Sequence, residues 1–392
     1  MVSKLRLVFS ISILFLSFCG YAQRNYWKQE SGSANLKTSI SNRFDVKKGR
    51  IYSFDETAFK TEISQGNTGK KSSRTVRFPN EKGEMVEYMV VETPVLSKEL
   101  ADKFPEIKSY SGYSLKNRDD KVRFSSSHKG IQAMFVYGDK KGNTYLQKTN
   151  EGDYLIYSRE GEANVDKVFI CDTKSSVIQG VPSLTAKQVD DRKLRKFRLA
   201  ISASGEYTTY HGGTVADALA AINATVTRVN QVFESDLGVT LEIIPDTDKI
   251  IYTDSTTDPY GSDLNSEAQS AITDSIGSEN FDVAHLFHRV ESSDQNSGNA
   301  GYIGSVCADN KKASAYSAKK NPVGDTFDLD YVAHEMGHQF GANHTWSFES
   351  EGTQVQAEPG SGTTIMGYAG ISGVNNVAAN GDDYFHYYSI FQ

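Results

Sequence analysis

The sequence predicts an α/β domain with a mostly parallel sheet in the C-terminal half of the chain, preceded by a β-rich region. Three observations carry this prediction. The 392 residues exceed one ordinary domain, so two are expected. Residues 23 to about 190 hold β-branched and aromatic runs separated by turn residues. From about residue 197, strand-like runs alternate with runs of helical period, which is the order of a layered α/β fold. The hydrophobic fraction of 38% and charged fraction of 23% allow a core without covalent staples. A formal net charge of −7 argues against nucleic acid as a partner, because binding a phosphate backbone requires a basic surface.

The first 22 residues read as a secretory signal rather than as fold. Lys4 and Arg6 precede an apolar run over 7–18, and Gly20 and Ala22 are small residues at the spacing of a cleavage site after Ala22. The mature chain is therefore expected outside the cell or at its surface. The run is short for a membrane span, and no other segment is apolar enough to cross a bilayer. Of three cysteines, Cys19 leaves with the signal, so Cys171 and Cys307 remain. An oxidising compartment would permit one bond between them.

In the region 23–190, strands are expected over 87–91, 131–137 and 154–157, with turns at 117–120, 138–139 and 151–153. Residues 165–171 suit one more strand. The polar, basic stretch 187–196 reads equally as an exposed linker with a processing site or as a solvated strand edge.

The second region, 191–392, opens with a strand over 197–202. A long helix follows over 214–233, because Val215, Leu219, Ile222, Val226, Val229 and Phe233 recur at three and four. Thr214 with Asp217 forms a capping signal, and Gly238 ends the segment. A strand over 239–244 precedes a second helix over 265–276, with Asn265 as candidate cap and Gly277 beyond its end. Residues 281–290 suit a third strand, in which His285 and His288 read as packed or surface residues. Residues 302–306 suit a short strand beside a glycine-rich loop.

The chemistry lies in His334-Glu335-Met336-Gly337-His338-Gln339-Phe340-Gly341-Ala342-Asn343-His344. Asp325 is the candidate N-cap of the helix that carries it. On that helix His334 and His338 share a face one turn apart and can take two corners of a tetrahedral zinc site. Glu335 is beside them, placed to take a proton from water without being a ligand. Leu329, Val332, Met336 and Phe340 form the opposite, apolar face. Gly341 stands where the helix must end, since glycine turns the chain there without steric cost. The turn returns His344 as a third ligand. Three ligands leave one position open, which is the catalytic arrangement.

The extended motif, together with Met366 in Thr364-Ile365-Met366-Gly367-Tyr368, resembles the metzincin signature, in which a Met-turn packs beneath three histidines. Over about residues 197–391 the chain is similar to bacterial secreted reprolysin-like (M12B-like) metzincins, through 199–207, 220–230, 325–346, 358–362 and 382–386. The resemblance implies a twisted mixed sheet with two long helices and a small irregular C-terminal subdomain. It implies a zinc endopeptidase acting on proteins or peptides, with Glu335 as general base and acid, and a zymogen whose β-rich N-terminal region is a prodomain. Tyr368 matches the tyrosine of the astacin and serralysin branches, absent from typical reprolysins, which can approach the zinc or stabilise the tetrahedral intermediate. Relatives carry cysteines around the Met-turn that are missing here, and their last helix continues further, so a C-terminally truncated chain is an open reading.

For latency, Cys171 as a thiolate or Asp172 as a carboxylate could block the open zinc position. The alternatives are a buried thiol or a disulfide with Cys307. Calcium at Glu206 and the acidic loops is a further option. Substrate is expected antiparallel to the edge near 302–306, with its specificity pocket around 369–388. Competing readings are a non-catalytic zinc-stabilised binding module, a zinc amidase or glycan hydrolase on this scaffold, and a carbohydrate-binding N-terminal region. Cleavage preference and oligomeric state are left open by the sequence.

Overall fold

The computed structural model describes residues 25–30, 49–64, 73–138, 142–159, 168–174 and 192–392. The expected signal at 1–22, the start of the expected strand at 165–167 and the first half of the basic stretch, 187–191, lie outside these residues. Among the described residues no helix is long and apolar enough to cross a membrane.

The N-terminal region forms a nine-stranded antiparallel sheet. Its strands are β1 (Trp27–Gln29), β2 (Arg50–Phe54), β3 (Arg74–Pro79), β4 (Met85–Glu92), β5 (Lys108–Ser114), β6 (Lys121–Ser127), β7 (Gly130–Val136), β8 (Thr144–Lys148) and β9 (Tyr154–Ser158). They lie in the order β1-β2-β9-β8-β7-β6-β5-β4-β3. Helix α1 (Glu56–Ser64) buries Phe59 and Ile63 in an aromatic core with Trp27, Phe78 and Phe124. The short helix α2 (Lys98–Lys103) follows β4. Both faces of the sheet are covered. Tyr154 and Ile156 join the aromatic core, whereas Leu155 and Tyr157 join the core of the C-terminal half. Alternate side chains point to opposite faces, so a strand buried on both sides reads as one continuous apolar run.

The second sheet runs β10-β14-β15-β13-β11-β12. It comprises β10 (Ile170–Cys171), β11 (Arg195–Ala203), β12 (Val239–Ile243), β13 (Val283–Arg289), β14 (Ser297–Asn299) and β15 (Ala315–Lys319). Strands β12, β11, β13 and β15 are parallel neighbours, and β14 is antiparallel to β15, so the sheet is mixed. Helix α3 (Gly205–His211) follows β11, and α4 (Val215–Val232) begins at its cap Thr214, whose hydroxyl accepts from Asp217 N at 3.1 Å. After one π-helical turn, Gly238 ends the segment at φ 63°. Helix α5 is Leu264–Ile276.

Two expectations are corrected. The cap of α5 is Asp263, which accepts from Ser266 N at 3.3 Å; Asn265 instead donates its side-chain amide to the carbonyls of Asn299 and Ser314. Residues 302–306 do not form a strand, because the amides of Gly304 and Val306 bond to the carbonyls of His338 and Gln339. The strand next to β15 on this side is β14, and β10 covers its outer edge.

Helix α4 lies between the two sheets, which is why it buries polar residues as well as its apolar stripe. Ser109 Oγ bonds Asn223 Oδ1 at 3.1 Å and Thr227 Oγ1 at 2.8 Å. Beyond it, Ile243 exchanges backbone hydrogen bonds with Val95 and Ser97 and so closes the outer edge of β12. At the start of α4, Asp217 meets His128 at 3.0 Å and Lys129 at 3.2 Å. Burial pushes the Asp217 carboxyl up, but hydrogen bonds from Thr214, His128 and Lys129 outweigh it and bring its pKa to about 2. A depressed carboxylate pKa stabilises the fold above its ordinary value of 3.8, and that contribution is lost as pH falls through about 2. The thermal midpoint of Asp217→Asn is therefore expected below that of the wild type at pH 5, with the gap closing between pH 4 and 2. A constant gap across that range contradicts the assignment.

Candidate metal centre

The segment bearing the histidines enters through π-helical turns over Thr326–Ala333 and continues as α6 (His334–Gln339). Asp325 stands at the N-cap position but makes no cap hydrogen bond, a departure from the sequence expectation. Its carboxylate faces Arg159 instead, with Arg159 Nε 3.1 Å from Asp325 Oδ2. Asp328 fixes the segment to α4, accepting from Arg228 Nη1 at 2.7 Å and from Thr225 Oγ1 at 2.6 Å. Leu329, Val332 and Met336 are fully buried on the apolar side, and Phe340 packs edge-on against Phe197 and Phe233. Gly341 has φ +118°, a conformation open to glycine, and the chain turns there to bring His344 back.

The three imidazoles converge. Each Nδ1 faces a group that only accepts: Ile365 O at 2.7 Å from His334, Ala342 O at 2.6 Å from His338, and Glu351 Oε1 at 2.9 Å from His344. The proton of each neutral ring is thus held on Nδ1 and the Nε2 lone pairs point inward. His338 Nε2 and His344 Nε2 are 3.2 Å apart with no proton to share, and His334 Nε2 is buried with no hydrogen-bond partner. Burial and the neighbouring His344 lower the His334 pKa to about 3, and the same causes hold His338 well below the usual histidine range. All of this suits a cation taken by nitrogen. The nearest fourth ligand atom is sulfur: Cys171 Sγ lies 3.5 Å from His338 Nε2, and the four ligand atoms fall within 4.8 Å of one another. Three nitrogens and one sulfur at tetrahedral count fit zinc.

The rest of the site is packed closely around this set. Met366 is fully buried beneath the helix, so near Gly337 that a Cβ there would come within 2.7 Å of its sulfur. Tyr368 OH is 3.0 Å from His344 Nε2. Glu335 is fully buried; burial pushes its carboxyl up to about 8, against the pull of the Thr173 hydroxyl. Gly298 on β14 leaves room for it, since a Cβ there would collide with the Glu335 carboxylate.

The N-terminal region reaches into the cleft at 168–174. Strand β10 runs parallel to β14, pairing Ile170 with Ser297 and Cys171 with Gly298. Cys171 and Cys307 are both free, and Cys307 is exposed, so the disulfide left open by the sequence does not form. Asp172 is exposed and contributes its backbone, donating N–H to Gly298 O at 2.9 Å. Sequence reading missed three residues. Thr173 Oγ1 donates to Glu335 Oε2 at 2.9 Å and accepts from Ala300 N at 2.7 Å. Phe169 packs on Tyr331 at 4.3 Å and on His334 at 5.4 Å between ring centroids. Glu351 orients His344. Only the adjacency of Thr173 and Phe169 to Cys171 offered a signal. Glu206 joins no group of three or more potential metal ligands among the described residues; its neighbour His288 is 3.9 Å away. His285 is buried and bonded to Gln339 and Ser317.

No curated protein matches the chain. Among matching solved structures is one titled "Structure of a chaperone-substrate complex", 19% identical over 30% of this chain and 88% of that chain, at a TM-score of 0.21. The family described as "Metallo-peptidase family M12B Reprolysin-like" matches residues 194–392, the half of the chain that holds every histidine of the centre. This protein belongs to that family of zinc metallopeptidases.

Proposed function

We propose that the protein is a secreted zinc endopeptidase of the bacterial reprolysin-like branch, made as a zymogen whose N-terminal region holds the cleft shut. The observation that carries the reading is the convergence of three inward-facing Nε2 atoms with Cys171 Sγ as the fourth ligand atom. A zinc ion held there supplies positive charge that polarises a scissile carbonyl and makes water acidic enough to lose a proton near neutral pH.

The chain's own residues supply the rest. Glu335, buried beside the ligands, accepts the water proton and passes it to the leaving amine. Tyr368, with its hydroxyl at the ligand set, donates a hydrogen bond to the developing oxyanion. Once β10 withdraws, a peptide substrate adds to the exposed side of β14, antiparallel to it, and its main chain is held by strand hydrogen bonds. Segment 168–174 occupies the same edge in the parallel sense, so its peptide bonds run the wrong way for cleavage. Cys171 covers the ligand set and Thr173 occupies the general base, which supports latency through the thiol rather than through Asp172.

Purified full-length protein is expected to degrade casein only after its N-terminal region is cut, and to lose that activity to a zinc chelator. Cys171→Ser replaces a soft sulfur ligand by a weak oxygen one, and is expected to raise the activity of the uncut chain by about tenfold or more. Unchanged activity in Cys171→Ser sinks the latency reading. Activity indifferent to the chelator sinks the zinc mechanism. N-terminal sequencing of the secreted form checks both the signal and the cut.

A further inference from the structure

The N-terminal region places one guanidinium in a nest of three carboxylates. Arg159, with a side chain 8% exposed, puts Nε 3.1 Å from Asp325 Oδ2 and 3.0 Å from Asp383 Oδ1, and Nη1 2.8 Å from Asp330 Oδ1. Nη1 also donates to Gly381 O at 2.9 Å, and Nη2 to Asp325 O at 3.4 Å. Asp325 Oδ2 and Asp383 Oδ1 are buried and have no hydrogen-bond partner; this one cation is what faces them. The remaining oxygens of these two residues are met by Tyr157, Tyr145 and Asn143. All of these compensating groups come from before residue 160, while the nest itself belongs wholly to the C-terminal half.

The nest is continuous with the substrate cleft. Asp330 and Gly381 also line the depression formed with Tyr331, Ile365 and Tyr368, where Phe169 rests. Phe169 precedes Cys171 in a segment parallel to β14. A substrate antiparallel to β14 therefore lays the residues after its scissile bond on this side.

We infer that the nest is a subsite for an arginine side chain located shortly after the scissile bond of the substrate, and that Arg159 fills it in the intact chain. The inference rests on the proteolytic reading proposed above. The acceptors lie along a planar fork: Nη1 and Nη2 donate hydrogen bonds, and Nε stands at ion-pair distance from two carboxylate oxygens, a spread of contacts that suits a guanidinium better than a point-like ammonium. A calcium ion instead needs oxygens gathered within about 2.5 Å of one point.

The test begins with Arg159→Ala in the full chain, which removes the guanidinium and leaves its acceptors. Thermal unfolding is followed with ethylguanidinium, propylammonium or calcium added at millimolar concentration and matched ionic strength. Ethylguanidinium is expected to raise the midpoint of Arg159→Ala by about 2 °C or more, beyond propylammonium, and to leave the wild type unmoved. A rise with calcium alone, or none with ethylguanidinium, overturns the inference. The second measurement does not depend on that variant folding. Full chain nicked within 187–196 is assayed on paired peptides carrying Arg or Gln two to four residues after the scissile bond. Arg is expected to be preferred about tenfold in kcat/KM, and Asp330→Asn, whose native side chain is 35% exposed, to bring the ratio near one. Equal cleavage by the native sequence overturns the subsite alone, whereas cleavage of neither peptide overturns the proteolytic reading with it.

Discussion

Glu335→Gln is expected to lower kcat/KM of the opened protein by about 10²- to 10⁴-fold while zinc stays bound in one equivalent. The reason is a division of labour along one helix. The metal is held by His334, His338 and His344, whose rings are oriented by Ile365 O, Ala342 O and Glu351. None of those contacts passes through Glu335. The Glu335 carboxylate instead has one oxygen on Thr173 and the other, Oε1, buried without a hydrogen bond. A buried acceptor kept free in this way is available to a proton once the N-terminal segment withdraws. Glutamine has the same shape and keeps the contact to Thr173, but its amide cannot take up a proton. Kinetics on a peptide, with metal analysis of the same sample, separate the two functions. Retained turnover at full zinc content would show that another group moves the proton; loss of zinc would show that Glu335 helps to hold the metal.

Asp328→Ala is expected to cost about 3–5 kcal/mol of stability, because it leaves a buried arginine without its partner. The side chains of Arg228 and Asp328 are 1% and 3% exposed, and their contact is 2.7 Å. Burial works against the charge on Arg228, and the Asp328 carboxylate, together with Tyr157 and Asp325, outweighs it. The ion pair joins α4 to the π-helical turns that lead into His334, so its loss acts on the position of the ligands as well as on unfolding. Replacing both partners, as Arg228→Met with Asp328→Leu, is expected to recover most of the loss, since the penalty lies in the orphaned charge and not in the missing pair. Denaturant midpoints of the single and double variants measure this. A loss below about 1 kcal/mol in Asp328→Ala would mean that solvent reaches Arg228.

The elements legible from sequence were those whose cause is local. The helix from Thr214 to Gly238 has its cap, its stripe and its terminator within one stretch, and the structure places all three as read. Strands 131–137 and 154–157 were marked by composition, and the alternation of strands and helices in the second half marked a mostly parallel sheet, in which β14 against β15 is the antiparallel pair. The failures arose where a distant partner overruled a local signal. Asn265 and Asp263 are both good caps, and the neighbour that claimed Asn265 lies in another part of the chain. Residues 302–306 had strand composition, but helix carbonyls at His338 and Gln339 took their amides.

By itself the sequence determined the three histidines, the glutamate among them and the glycine that turns the chain between the second and third ligand. Their geometry is set by one helical turn and one reversal, over eleven residues. Only the tertiary structure decided that Cys171 closes the ligand set, that Thr173 holds Glu335, that Arg159 enters the nest of Asp325, Asp330 and Asp383, and that β10 covers β14. The physical reason is separation: these partners lie more than a hundred residues apart, and no local periodicity or capping rule brings them together. Their contact exists only because two sheets, each too apolar to leave a face in water, bury α4 between them.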